Sequence, residues 1–254
     1  MKEILQKLLN LLSMKQKMQF IALRTVRHND RHSILSAYSA ECGRVAFAIS
    51  AGGGKEAVRR RALFMPLSIV ECVADVKPGR DICVVSEPRS VVSLMGLRSN
   101  PIKGSIAMFL AEVLGVVLRD GPPDVMLYRY ISGSIEALDA LPADRVANFH
   151  ICFLWGLGRF IGIEPDTSEY CEGMVFDMQD GRFRRSAPLH PNYLDSSRSS
   201  AVAAVSRMTY INMHLFKMSR AERNELLNGV LKYYSMHYAG LQSLRSLDVL
   251  RELF

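Results

Sequence analysis

Over the first third of the chain, apolar and polar positions alternate. From Gln19 to Arg27 and from Ser33 to Ser39 apolar residues recur about every second place, with the polar turn HNDRH at 28–32 between them, which predicts a hairpin. Gly43 to Ile49 repeats the alternation, with Val45, Phe47 and Ile49 on one face and Arg44, Ala46 and Ala48 on the other. Leu67 to Val76, after Pro66, and Asp81 to Val85, after the turn KPGR, complete five strands within roughly seventy residues, the count of a small closed barrel. A five-stranded OB-fold fits first; an SH3-like barrel has a comparable count.

From Pro101 the period lengthens. Ile102, Ile106, Phe109, Leu110, Val113, Leu114 and Val117 lie at helical spacing until Gly121-Pro122-Pro123 stops the run. A second helix is predicted from about Asp124 to Leu141. A third, from Asp144 to Ile163, is apolar on nearly every side and belongs at the centre of a helical domain. Glu172 to Phe183 reads as a hairpin turning at Asp180-Gly181. Beyond it, a helix is expected over about Ser199 to Phe216. Ser219 with Glu222 makes a capping box for the next helix, which Gly240 ends, and a last helical turn spans 246–253. The fold class is therefore α+β: an extension at 1–13, a β-barrel domain at 14–99, and an all-α domain at 100–254 carrying a β-hairpin near 172–183.

Composition sets bounds on this picture. At 254 residues and 49% hydrophobic content the chain can bury real cores. Its longest apolar runs, Ile106 to Leu118 and Val146 to Ile163, are broken by Glu112, and by His150 and Arg159, so neither reads as a membrane span. Residues 1–13 have a short leucine run interrupted by Lys7 and no cleavage site, which argues against a signal peptide; they suit a short amphipathic helix, or else a stretch that precedes the true start at Met14 or Met18. Five widely spaced cysteines, Cys42, Cys72, Cys83, Cys152 and Cys171, suit reduced thiols and a cytoplasmic home.

Charge is distributed unevenly. Residues 14–99 hold 14 Lys or Arg against 7 Asp or Glu, whereas residues 100–254 hold 16 against 17, so the barrel region alone invites a polyanion. The charge peaks just after the third strand. Gly52, Gly53 and Gly54 release the backbone, and Lys55, Arg59, Arg60 and Arg61 follow with only Glu56 in opposition. This reads as a flexible basic loop leaving a sheet, a form suited to a phosphate backbone, against the plainer reading of solvated surface. Arg24 and Arg44, on the outward parity of their strands, would extend it.

Other chemistry is not visible. GGGK would need Gly at position 49 and Ser or Thr at 56 to make a phosphate loop, and the chain has Ile49 and Glu56. His28, His32 and Cys42 lack a second pair of ligands spaced for zinc. No nucleophile elbow, zinc-protease motif or compact carboxylate group is present, so an enzyme is the weakest class, with no catalytic residue, metal or cofactor to name.

The order of HNDRHSILSAYSAECGRVAF, AGGGKEAVRRR, the PLS strand, NPIKGSIAMFLAEVL, NFHICFLWGLGRFIGIEP, VFDMQDGRF, LHPNYL, HLFKMSRAERNELLNGVLKYYSMH and SLDVLRELF resembles the RecO family of bacterial DNA repair and recombination mediators, in the form found among Bacteroides relatives. The resemblance covers about residues 14–254. It implies an N-terminal OB-fold and a helical C-terminal domain. It also implies binding of single- and double-stranded DNA and annealing of complementary strands. The implied partners are RecR, often RecF, in loading RecA onto DNA coated by single-stranded DNA-binding protein. A nucleoid-associated place in the cytoplasm follows from this. Many members carry a four-cysteine zinc site after the central helix; here PDTSEYCEGMVFDMQDGRF keeps only Cys171, so packing of Val175, Phe176 and Phe183 is expected to replace the metal. The family also takes the acidic, phenylalanine-ended tail of single-stranded DNA-binding protein on its helical domain. Leu215, Phe216, Lys217, Arg220 and Arg223, beside Met218, are the segment that suits it, unless they form an ordinary helix junction with a solvated edge. The rival function is an OB-fold adaptor whose essential contacts are with proteins.

Overall fold

A computed structural model of the protein describes residues 15–50, 52–75 and 82–254. Five strands, β1 (Lys15–Arg27), β2 (His32–Ser39), β3 (Gly43–Ser50), β4 (Ile69–Asp75) and β5 (Cys83–Ser90), close into a barrel of order β1-β2-β3-β5-β4. This is the OB-fold arrangement. β1 is long because it serves two neighbours: Lys15 to Ile21 pair with β4, and Phe20 to Arg27 pair with β2. A bulge between Ala22 and Arg24 turns the strand from one to the other. The barrel closes through a short parallel pairing of Phe47 and Ala48 with Cys83 and Val84. Inside, Phe20 and Phe47 stand 4.8 Å apart, surrounded by Leu35, Val70, Cys72 and Ala74. The inward parity of each strand is thus the apolar one, as the alternation requires.

Two sequence expectations change here. β5 runs on past Val85 through Pro88, because the register with β4 slips between Glu71 and Val73, and Glu87 (φ 51°) and Pro88 sit in the slack where no N–H is needed. The basic stretch is not a flexible loop: Lys55–Leu63 is a helix, α1. After Gly54, whose φ of 93° starts the turn, KEAVRRRAL consists almost wholly of good helix formers, and Arg60 and Arg61 in its last turn suit the negative end of the helix dipole. The glycines before it mask this. Phe64, just past the helix, drops into the barrel core and stacks 6.4 Å from Phe20.

The chain divides into two compact units. One holds the described residues up to Leu94 together with Val117–Ser132; the other holds Met95–Val116 and Gly133–Phe254. In the first, Gly43 (φ 64°) lies against Pro123 and Gly121 so closely that an added Cβ would sit 3.1 Å from the Pro123 nitrogen. In the second, the helices are α2 (Met95–Ser99), most of α3 (Pro101–Val117), the second half of α4 (Val125–Ala140), α5 (Phe149–Phe160), α6 (Ser196–Val205), α7 (Arg220–Ser235) and α8 (Ser246–Leu253). The capping box of Ser219 and Glu222 is formed at the start of α7. The third expected helix is shorter than its apolar run, with a 3-10 turn at Ala143–Arg145 before α5.

The helix expected over Ser199 to Phe216 is also cut short. Asp195 caps α6 three residues earlier, accepting from the Arg198 N–H at 3.1 Å. After Val205, Thr209 and Asn212 satisfy each other's backbone: the Thr209 N–H donates to Asn212 Oδ1 at 2.7 Å and the Asn212 N–H to Thr209 Oγ1 at 3.3 Å. These local bonds compete with the helix. The expected hairpin is present as β6 (Val175–Asp177) and β7 (Arg182–Arg184), and β8 (Tyr193–Leu194) adds a third strand beside β6. Ser199 ties this sheet to α6, its Oγ accepting from the Phe176 N–H at 2.7 Å and donating to the Leu194 carbonyl at 3.0 Å.

Candidate nucleic-acid interface

The barrel anchors α1 at its C-terminal end, where Leu63 and Phe64 pack on the core, and leaves Lys55, Val58, Arg59, Arg60 and Arg61 exposed. Helical geometry decides how these cations can act. Lys55 and Arg59 are one turn apart and share a face, while Arg59 to Arg61 fan over about 200° of the helix circumference. A single straight path along the helix can therefore reach Lys55, Arg59 and one flanking arginine, not the whole set.

Arg24 is exposed on β1 just beyond the bulge. It opens a second basic region where the sequence suggests only a polar turn. The tip of the β1–β2 hairpin exposes Arg27, His28, Arg31 and His32. Asn29 shapes this tip, its Oδ1 accepting from the Arg31 and His32 N–H groups at 2.9 and 2.8 Å, and Arg27 pairs with Asp30 at 2.9 Å. This is the loop between the first two strands, one of the places where OB barrels take oligonucleotides. The usable signal is positional: a basic turn between strands one and two of a five-stranded barrel. The other such place, between β4 and β5, falls outside the described residues.

Arg44 differs from the others. It is half-buried beside Arg119 and Asp120; burial and then the Arg119 charge hold its guanidinium below the ordinary arginine range. Outward parity on β3 does not give exposure here, because the segment after α3 packs over this end of the sheet. Tyr38, opposite Arg44 in the register, is also covered, and burial raises its phenol beside Asp124.

On the helical unit, Leu215, Lys217 and Arg220 are exposed and Phe216 is half-buried. Arg223 has a structural task. Its Nε donates to Asn148 Oδ1 and its Nη2 to the Met218 carbonyl, each at 2.9 Å, while Asn148 Nδ2 donates to the Met213 and Phe216 carbonyls at 2.9 and 2.8 Å. Arg220 Nε donates to the Arg251 carbonyl at 2.9 Å. A groove of about 790 Å³ lies elsewhere on this unit, between α5, α6, α7 and the small sheet. Trp155, Phe176, Val202 and Leu226 line it, with Arg198, Glu225 and Lys232 at its polar edge. Of the segment around the expected tail residues, only Met218 and Glu222 reach it.

The donors present do not fit a structural zinc. Cys171 is exposed, its N–H donates to Met174 Sδ, and no group of three His, Cys, Asp or Glu among the described residues is placed to hold a metal. The hairpin is closed by other means. Phe176 and Phe183 meet edge to face at 5.2 Å, with Tyr170 tilted against Phe183 at 4.8 Å. Beneath them the buried Asp177 carboxylate accepts from the Gln179 and Asp180 N–H groups and from Arg184 Nε at 2.8 Å, with His190 Nε2 at 3.3 Å. Burial alone would raise this carboxyl. The Asp180 and Gln179 amides, Arg184 and His190 outweigh burial and hold it below the usual carboxylate range.

No helix among the described residues is long and apolar enough to cross a membrane. Residues 98–248 match the family described as Recombination protein O C terminal. The DNA repair protein RecO of Phocaeicola vulgatus is 40% identical over 95% of this chain and 100% of its own length. The RecO of Bacteroides fragilis is 35% identical over 95% of this chain and all of its own, and that of Christiangramia forsetii 27% over 92% and 97%. With an OB barrel, a helical unit and whole-length relatives that agree, the chain belongs to the RecO family.

Proposed function

We propose that the protein serves recombinational DNA repair as a mediator that binds DNA through residues 14–99, anneals complementary single strands, and works with RecR, and with RecF, to load RecA onto DNA coated by single-stranded DNA-binding protein. The observation that carries this reading is the pairing of an OB barrel with an exposed cationic helix, Lys55, Arg59, Arg60 and Arg61, in a chain whose whole-length relatives are DNA repair proteins. Annealing needs no turnover of a cofactor: screening of two phosphate backbones and access to the bases suffice. The same cationic surface serves duplex and single strand. The helical domain, 100–254, is the partner-binding half in this reading. Leu215, Phe216, Lys217 and Arg220 offer the acidic tail of single-stranded DNA-binding protein an apolar and basic edge, to which Arg223 contributes by holding the loop. Such work places the protein in the cytoplasm, at the nucleoid.

The test is a gel shift and a strand-annealing assay on the full chain at two salt concentrations. Binding that weakens steeply with salt, and annealing that weakens with it, is expected. A protein that binds neither single nor double strands at low salt would leave the adaptor reading in its place.

A further inference from the structure

Proteins that hold single strands without regard to sequence usually add aromatic platforms to a basic groove, and successive bases stack on them. The barrel unit offers no exposed phenylalanine, tyrosine or tryptophan for this. Its phenylalanines and tyrosines are Phe20, Tyr38, Phe47, Phe64, Tyr128 and Tyr130, and the first five are buried, between 0% and 8% exposed. Tyr130 is half-buried and already engaged with a neighbour. The one tryptophan, Trp155, belongs to the other unit. Residues 1–14, 51 and 76–81 contain no aromatic residue in their sequence, so none is added there. The exposed rings of this unit are the imidazoles of His28 and His32 at the hairpin tip.

The sheet face that OB barrels commonly turn to a strand is similarly bare. On the outer side of β2 and β3 the paired residues are Ile34 with Ala48, Ser36 with Ala46, and Tyr38 with Arg44. The first four are small or aliphatic, and the last two are covered by the segment after α3. What the unit does present is guanidinium and ammonium groups on α1 and at the hairpin tip.

Resting on the proposed DNA-binding role, we infer that the barrel takes nucleic acid as a polyanion, gripping the sugar-phosphate backbone and leaving the bases of the bound strand facing outward and unstacked. Such a strand stays readable. A second strand pairs with it without first pulling its bases from an aromatic shelf, and duplex is accepted by the same surface because its backbone is the outer layer of the helix. Strand preference then follows charge density, and base identity has little effect.

The experiment compares two oligomers of equal phosphate count on the full-length protein by fluorescence anisotropy. One is oligodeoxythymidine of roughly 20 nucleotides, longer than the site of a single OB barrel. The other is the same backbone made wholly of abasic tetrahydrofuran residues. Affinities within about threefold and equal salt slopes are expected, since the phosphates are the same. Stacking on protein would make the abasic strand weaker by about fivefold or more per base engaged. Permanganate reactivity of the bound thymines gives a second reading: thymines as reactive as in free strand support outward bases, and protected thymines overturn them. Binding of the thymidine strand with loss of the abasic strand overturns this inference and leaves the DNA-binding role standing. Failure of both strands to bind overturns the two together.

Discussion

The arginines of α1 show why one residue's place in an element matters as much as its charge. As a loop, Arg59, Arg60 and Arg61 could all turn to one phosphate path; as consecutive helical residues they cannot, because their side chains point about 100° apart. Each phosphate deprived of its cation lowers the dependence of log affinity on log salt by about 0.7 to 0.9. The triple Arg→Ala protein should therefore give up about 0.7 to 1.8 of slope, the share of one or two phosphates and not three, with DNA affinity falling and the fold unchanged. An unchanged slope measured by anisotropy across salt would mean that the helix is plain solvated surface. A second residue sets an acid limit. His150 is buried against Phe109 and Phe254, and burial, with Arg223 adding, pushes its imidazole down to about 3. The folded state keeps this ring neutral while the unfolded chain protonates it near 6.5. Its cost is absent above that pH and grows by up to about 1.4 kcal/mol per pH unit as the pH falls from there towards 3. Denaturant unfolding between about pH 7 and pH 5 should show the wild type losing stability faster than His150→Leu. Parallel curves would show that another group sets the slope.

At the scale of elements, what the sequence makes legible follows from period. Strands that face a core on one side and solvent on the other must alternate, so β1, β2 and β3 can be located by reading Phe20, Leu35 and Phe47 on their inward parity. α1 is hidden because three glycines announce a loop, whereas the eight good helix formers among the nine residues behind them win once Phe64 is fixed in the core. The end of α6 is hidden because apolar spacing runs through Met208 and Met213, and the competing bonds of Thr209 and Asn212 leave no periodic trace. The small sheet reads from sequence as a two-stranded hairpin packed by Val175, Phe176 and Phe183. Its buried anchor, Asp177, cannot be distinguished there from any polar residue of a turn. That anchor leads to a test. Asp177→Ala leaves two backbone N–H groups and the Arg184 Nε without their acceptor, though Arg184 keeps Asp180, at a cost of roughly 2 kcal/mol. A urea midpoint equal to the wild type would show the aromatic stack alone to be sufficient. If Asp177 and not a metal closes the hairpin, exhaustive dialysis against a chelator should change neither the thermal midpoint nor the zinc content, which elemental analysis should find well below one per chain. One retained zinc would point to ligands other than Cys171.

At the scale of the whole molecule, the packing that matters most for testing function joins residues far apart in sequence. Gly43 at the β2–β3 turn meets Pro123, and the stretch Val117–Ser132 belongs with the barrel although it follows α3. No period or composition shift marks such a return, because Gly121-Pro122-Pro123 reads only as a helix stop. The consequence is physical. A fragment of residues 14–99 keeps all five strands, yet it uncovers Tyr38, 1% exposed in the full chain, and leaves Arg44 without the Asp120 charge beside it. Burying an aromatic side chain is worth roughly 1.5 to 3 kcal/mol, a large share of what a domain of this size has to spare. The fragment should be less stable than the same strands in the full chain. Hydrogen exchange reads this directly. Amides of β2 and β3 near Tyr38 and Val45 should exchange faster in the fragment, while those near Lys17 and Cys72, on the β1–β4 side, should change least. Equal protection at both places would show that the returning segment adds nothing to the barrel. If the difference is found, weak DNA binding by the isolated fragment would measure its unfolding and not its interface, and the role of the α1 arginines has to be judged on the full chain.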